Sequence, residues 1–217
     1  MDILKKHELF EIEVLEKLNS GKFLEPLVFG GGTMLRLCHE LNRYSVDLDF
    51  WFIRRIAFDD YFTKLKDFLE KEYEITDACI KHYTLLFELR SGKYPKRMKI
   101  EIRKQEKKFD FQERIAFSRY DVKQVILKVH TLEQTMKNKI EAALQRKEIR
   151  DCFDIEFLLK RGIAFNAEEG VIERYNDLLT SFSDKDFKVT LGSILDSAER
   201  KYYIQNKFSY TLRKLGL

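Results

Sequence analysis

The stretch FGGGTMLRLCHELNRYSVDLDF, Phe29 to Phe50, decides how the rest of the chain is read. Leu27-Val28-Phe29 is apolar enough for a short buried strand, three glycines then turn the chain, and Met34, Leu35, Leu37, Cys38 and Leu41 recur at helical intervals. After Asn42-Arg43-Tyr44-Ser45, the run Val46 to Phe50 alternates apolar and acidic residues, the pattern of a half-buried strand. The order is strand, glycine turn, helix, strand.

Alternation places Asp47 and Asp49 on one face of that strand and Val46, Leu48 and Phe50 on the other. Neighbouring carboxylates raise each other's pKa unless a cation lies between them, and oxygen donors of this kind suit Mg2+, which also binds substrate phosphates. The glycine turn opens a helix, so the backbone amides of Gly31 and Gly32 and the Thr33 hydroxyl are candidate phosphate donors. A phosphate cradle followed 14 positions after Thr33 by an Asp-x-Asp strand is more specific than either element alone.

Outward from this centre, Leu4, Leu9, Phe10, Ile12, Val14, Leu15 and Leu18 predict an amphipathic opening helix, and Phe58 to Leu69 a second. Two apolar-alternating runs, Ala78 to Leu89 and Met98 to Ile102, flank a turn with Gly92 and Pro95 and predict a hairpin, and Val122 to Val129 one more strand. From Thr131, a helix start with Glu133 or Gln134, the period becomes helical through Met136, Ile140, Ala143, Leu144, Phe153, Phe157 and Leu158. Beyond Gly162 short helices are expected over Ala167 to Leu179, Asp184 to Ala198 and the Tyr-rich tail. The expected class is α+β: a small mixed sheet flanked by helices over residues 1–130, then a helical part over residues 131–217.

Composition narrows the partners. The 217 residues are 44% hydrophobic with only 2 prolines and 9 glycines, which excludes disordered and fibrous classes. The net charge is only +4, but Arg90, Lys93, Lys96, Arg97, Lys99, Arg103, Lys104, Lys107 and Lys108 outnumber Glu101 and Glu106 in one window. That excess suits phosphates, or lysines guarding a sheet edge. The 3 cysteines, Cys38, Cys79 and Cys152, have no metal-ligand spacing and fit a reducing cytoplasm. No segment has the length of a membrane span, so no membrane partner is expected.

The opening stretch resembles the first motif of the AbiEii/AbiGii nucleotidyltransferase toxin family, a branch of the polymerase-beta-like nucleotidyltransferase superfamily. The shared elements are Gly31, Gly32, Thr33, Leu35, Arg36, Arg43, Ser45, Asp47, Leu48, Asp49 and Phe50. A second stretch, KNKIEAALQRKEIRDCFDIEFLL, is similar to the family's later motif at Lys139, Arg146, Arg150, Asp151 and Asp154, with Lys137 a minor rival to Lys139. The resemblance implies a nucleotidyltransferase sheet and Mg2+-dependent transfer of a nucleoside monophosphate from an NTP, with pyrophosphate released. In toxins of the family the acceptor can be tRNA, and a separate antitoxin restrains the activity.

Under that reading Asp47 and Asp49 hold the metal, and Glu101, facing opposite to Ile100 and Ile102, completes the set or acts as a base. Gly31, Gly32 and Thr33 hold phosphate. Lys139 binds the triphosphate, and Asp154 orients that lysine or the acceptor. Arg36, Arg43, Arg150 and Asp151 support: Arg36 and Arg43 are read as touching phosphate or holding a carboxylate such as Asp47, with the structural role preferred for Arg43; without the motif, Lys139 to Asp154 would read as an ion-paired surface helix. Trp51 and Phe52 read as core by default. Tyr202, Tyr203, Phe208 and Tyr210, interleaved with basic residues, suit RNA stacking, a helix packing face or a surface that an antitoxin covers. The rival readings are a nucleotide- or RNA-binding protein that does not transfer, and a small-molecule nucleotidyltransferase of antibiotic type.

Overall fold

The computed structural model describes residues 3–105 and 108–216, so Glu106 and Lys107 of the basic window lie outside the described residues. Two compact units emerge: residues 1–40 with 44–130, and residues 41–43 with 131–217.

The first unit is built on seven strands: β1 Leu27–Gly30, β2 Asp47–Phe52, β3 Glu74–Ile80, β4 Thr84–Arg90, β5 Met98–Arg103, β6 Phe111–Phe117 and β7 Gln124–His130. They lie in the order β3-β4-β5-β2-β1-β7-β6. The sheet is mixed, with β2 parallel to β5 and β1 parallel to β7 while the other pairs run antiparallel. One face is a continuous apolar layer in which Phe29, Leu48, Phe50, Phe52, Leu85, Phe87, Ile100, Ile102 and Val129 are almost completely buried. Three helices accompany it: α1 Ile3–Ser20, α2 Gly31–His39 and α3 Phe58–Leu69. Helix α1 packs on β5 and β7, and α2 on β1, β2 and β6. From α3, Phe62 stacks on Phe87 at 4.8 Å between ring centroids. Each aromatic buried in such a layer contributes on the order of 2–3 kcal/mol of transfer free energy.

The second unit is helical: α4 Leu132–Arg146, α5 Ile149–Lys160, α6 Glu169–Ser181, a π-helical turn Asp186–Leu191, α7 Ser197–Asn206 and α8 Ser209–Leu215. The Thr131 hydroxyl accepts a hydrogen bond from the Gln134 amide at 3.1 Å, the N-cap that its sequence position predicts. The tail residues Tyr203 and Phe208 are buried, and Tyr203 donates to the buried Glu156 carboxylate at 2.8 Å. The Thr211 hydroxyl bonds the same carboxylate at 2.7 Å. For those two aromatics, packing is what the structure displays.

Four expectations need correction. The run Ala78 to Leu89 is not one strand but parts of β3 and β4, which reverse at Lys81-His82-Tyr83, a turn without glycine or proline to mark it. Strand β6 is absent from the sequence reading because its outward face is exposed on the rim of the sheet, with Phe111, Ile115 and Phe117 accessible, so burial imposes no clean alternation. No helix spans Asp184 to Ala198; the π-helical turn ends near Gly192, and α7 begins after Asp196, whose carboxylate caps the amides of Ala198 and Glu199 at 3.0 and 2.9 Å. The helix carrying Lys139 does not continue to Arg150, since Lys147 adopts a left-handed conformation at φ 54° and separates α4 from α5.

At the end of β7, His130 is fully buried beside Trp51 and Phe109, and burial pushes its imidazole down from 6.5 to about 4. The fold therefore excludes a proton that the unfolded chain binds. This contribution is complete above the unfolded pKa and is lost as pH falls from 6.5 towards 4, a swing of at most roughly 3 kcal/mol. A His130→Asn variant should lose stability less steeply than the wild type between pH 7 and 4 in urea denaturation. Parallel curves for the two proteins would show that His130 does not carry this acid sensitivity.

Candidate active site

The face of the sheet opposite the apolar layer carries the acidic residues. Along β2 burial alternates, so Leu48, Phe50 and Phe52 point into the core while Asp47, Asp49 and Trp51 emerge half-buried on the other side. Parallel pairing sets Asp47 beside Lys99, Asp49 beside Glu101 and Trp51 beside Arg103. Because paired residues in adjacent strands share a face, Glu101 stands next to Asp49 without any side-chain rearrangement. The Glu101 carboxylate forms an ion pair with Lys99. Hydrogen bonding to Glu101, with the charges of Asp47 and Asp49 adding to it, holds the Lys99 ammonium above its usual pKa.

The glycines act by close approach. Gly30 pairs with Asp49 across β1 and β2, and α2 begins at Gly31 with no intervening loop. Gly31 has φ +75°, and a Cβ there would collide with the Asp49 carboxylate. A Cβ on Gly30 would lie 2.6 Å from the Trp51 ring and 2.7 Å from His130 Nδ1. Only glycine permits strand, helix start and carboxylate to lie this close. Gly32 follows within the first turn of α2 and is buried. The Thr33 hydroxyl, fully buried, donates to the Asp47 carbonyl at 2.6 Å. Its proton ties α2 to the start of β2, and this is the partner at which the structure places it.

Arg36 donates to Glu8 at 2.9 Å and stacks on Tyr44, with its guanidinium carbon 4.5 Å from the ring centre. Glu8 also accepts from the Ser118 hydroxyl at 2.6 Å. Helix α1 thus brings Glu8 to the Arg36 side of α2, a contact without a local sequence signal.

In the second unit, Arg43 grips Asp154 with a two-pronged pair, Nε to Oδ1 at 2.6 Å and Nη2 to Oδ2 at 2.7 Å. Arg43 therefore holds a carboxylate, and that carboxylate is Asp154 of the same unit, not the Asp47 that the sequence suggested. Lys139 lies 2.5 Å from Asp154 and 2.9 Å from Asp151, and Arg146 bonds both oxygens of Asp151 at 3.0 and 2.9 Å. Both aspartates are completely buried, and Lys139 is only 7% exposed. Burial pushes the Asp154 carboxyl up, but the charges of Arg43 and Lys139 outweigh it and hold the pKa below the usual range. Arg150 is outside this cluster, paired with Glu148. The break at Lys147 starts α5 on a new phase, so the face shared by Lys139 and Arg146 does not extend to Arg150.

Removing one partner from such a cluster leaves a buried charge uncompensated, at a cost of about 3–5 kcal/mol. Arg43→Met should lower the urea midpoint accordingly, with Arg43→Lys recovering only part of the loss, because an ammonium cannot reproduce the guanidinium fork. A midpoint within about 0.5 kcal/mol of the wild type would show that Asp154 does not depend on Arg43.

Asp47, Asp49 and Glu101 offer carboxylate oxygens on this face, and the Lys99 ammonium paired with Glu101 already supplies positive charge beside them. This is the chemistry of a hard divalent cation bound through two carboxylates and completed by substrate phosphates. Among the described residues no group of three His, Cys, Asp or Glu side chains is assembled as a metal cage. Asp47, Asp49 and Glu101 share one face of the sheet but are not gathered into such a group.

Among the described residues no helix is long and apolar enough to cross a membrane. The chain is similar in fold to several solved structures. One, from H. pylori, is assigned as a nucleotidyltransferase; identity is 23%, coverage 95% of this chain and 96% of that one, and the TM-score 0.57. MenT4, a nucleotidyltransferase toxin from Mycobacterium tuberculosis H37Rv, is 14% identical over 94% of this chain and 82% of its own, with a TM-score of 0.56. JHP933 from Helicobacter pylori is 22% identical over 93% and 98%, with a TM-score of 0.50. No curated protein matches the sequence. The family model of the AbiEii nucleotidyl transferase toxin of type IV toxin-antitoxin systems matches residues 13–203, and with the strand-and-glycine centre that this span contains, the chain belongs to that family of nucleotidyltransferases.

Proposed function

We propose that this nucleotidyltransferase is Mg2+-dependent, uses Asp47 and Asp49 as its metal-holding pair, and transfers a nucleoside monophosphate from an NTP to an RNA acceptor, tRNA being the favoured one. The observation that carries the reading is the juxtaposition of Asp49, Glu101 and Gly31 on one face of the sheet. Mg2+ held there would neutralise charge on the attacking and leaving oxygens. The start of α2, where Gly31 lets the Asp49 carboxylate lie against the chain, would present backbone amides to phosphate. Glu101 takes the proton from the acceptor hydroxyl, whose oxygen bonds to the α-phosphorus as the bond to pyrophosphate breaks. Lys139, clasped by Asp151 and oriented by Asp154, is assigned the triphosphate. Asp151 and Arg146 keep that lysine in place, whereas Arg36 and Arg150 are given no contact with substrate.

RNA is favoured over a small neutral acceptor by the basic strands, since Lys93, Arg97 and Lys104 surround the acidic face in sequence and suit an extended phosphate chain. A cognate antitoxin and action as a toxin in the cell follow from the family and form part of the proposal. A protein that binds nucleotide without transferring it would have no need of a paired Asp47-Asp49 face.

Asp49→Asn, incubated with labelled NTPs and total RNA, should lose at least about 1000-fold in transfer, the scale expected when charge stabilisation at the reacting phosphate is removed. Labelled RNA at wild-type rates would remove Asp49 from the centre, and label on protein alone would remove the RNA acceptor. Gly31→Ala should also lose transfer, because its Cβ displaces the Asp49 carboxylate. Its cost in stability should be roughly 1–3 kcal/mol, from the left-handed backbone at that position.

A further inference from the structure

Lys99 has a place in no motif, yet it occupies the centre of the acidic face. Across the sheet it lies between Asp47 on β2 and Glu88 on β4, and along its own strand it precedes Glu101, the register partner of Asp49. Its ammonium pairs with Glu101 and remains 40% exposed at the side chain. Glu88 is itself engaged by Arg97 at 2.7 Å and by the Thr76 hydroxyl at 2.6 Å. The lysine therefore stands among carboxylates, paired with Glu101 and in register with Asp47, while Asp49 is the register partner of Glu101.

We propose that Lys99 is the internal counter-ion of the carboxylate centre, a positioning residue whose ammonium holds Asp47, Asp49 and Glu101 together and which a divalent cation must displace in order to bind. The inference rests on the metal reading of Asp47 and Asp49. Like charges on one face of a sheet repel, and a cation among them relieves the repulsion. A tethered ammonium supplies one when no metal is present, prevents the carboxylates from splaying, and competes with a metal arriving alone. A metal that arrives on a triphosphate is helped by the added negative charge. Lys99 thus sets the centre to fill with metal-nucleotide in preference to free metal.

The test is Mn2+ binding in the absence of nucleotide, followed by loss of the free-ion electron paramagnetic resonance signal, on the full chain and its variants. Lys99→Met should bind Mn2+ about tenfold more tightly than wild type, since one competing charge is gone, and Lys99→Arg should stay near wild type. With metal chelated, Lys99→Met should melt about 2–4 °C lower, and addition of Asp49→Asn should recover the difference. Lys99→Gln provides the same comparison if the methionine variant does not fold. Equal or weaker Mn2+ affinity in Lys99→Met, with wild type binding normally, overturns the role of Lys99 and leaves the metal reading intact. No binding by any variant overturns the metal reading and the inference with it.

Discussion

Negative charge held at close quarters is the constraint around which the first unit is arranged. Asp47, Asp49 and Glu101 stand on one face of a sheet whose other face, at the same strands, is the buried apolar layer of Leu48, Phe50, Ile100 and Ile102. The strand pairing that creates the hydrophobic layer from Leu48, Phe50, Ile100 and Ile102 is the same pairing that sets the carboxylates side by side. Core and centre are two faces of one register. A slip of one residue would bury the acids and expose the aliphatics together.

The surroundings accommodate that charge at short range. Gly31 contributes space, Thr33 fixes the start of β2 through the Asp47 carbonyl, and Lys99 contributes a positive charge paired with Glu101. These devices differ in kind from the cluster of the second unit. There Arg43 and Lys139 meet Asp151 and Asp154 in near-complete burial, Arg146 reaches Asp151 from the exposed side, and every carboxylate oxygen has a charged partner. A buried cluster of this kind is costly to disrupt and orients its members closely. Lys139 gains a defined position from it.

Much of this was legible locally. Alternation around Asp47 and Asp49 predicts their shared face, the helical period predicts α1 and α3, and Thr131 marks the start of α4. The exposed strand β6, the unmarked reversal at Lys81-His82-Tyr83 and the π-helical turn were not legible, since each depends on contacts remote in sequence or on a surface that burial does not pattern. Arg150 shows the limit of motif reading. Its position within Arg-Asp-x-x-Asp suggests membership of the charged cluster, but one left-handed residue at Lys147 changes the helical phase and turns it to Glu148.

By itself the sequence determined the period of each main element, the presence of two acids on one strand face, and a glycine where a helix starts. Those properties depend on bonds and spacings within a few residues. Only the tertiary structure decided that Glu101 stands beside Asp49, that Lys99 lies among the carboxylates, that Gly31 leaves space for one of them, and that Arg43 clasps a residue 111 positions away. Strand order and long-range charge pairing set those neighbours. They are chosen by the burial of whole faces, which no local pattern encodes.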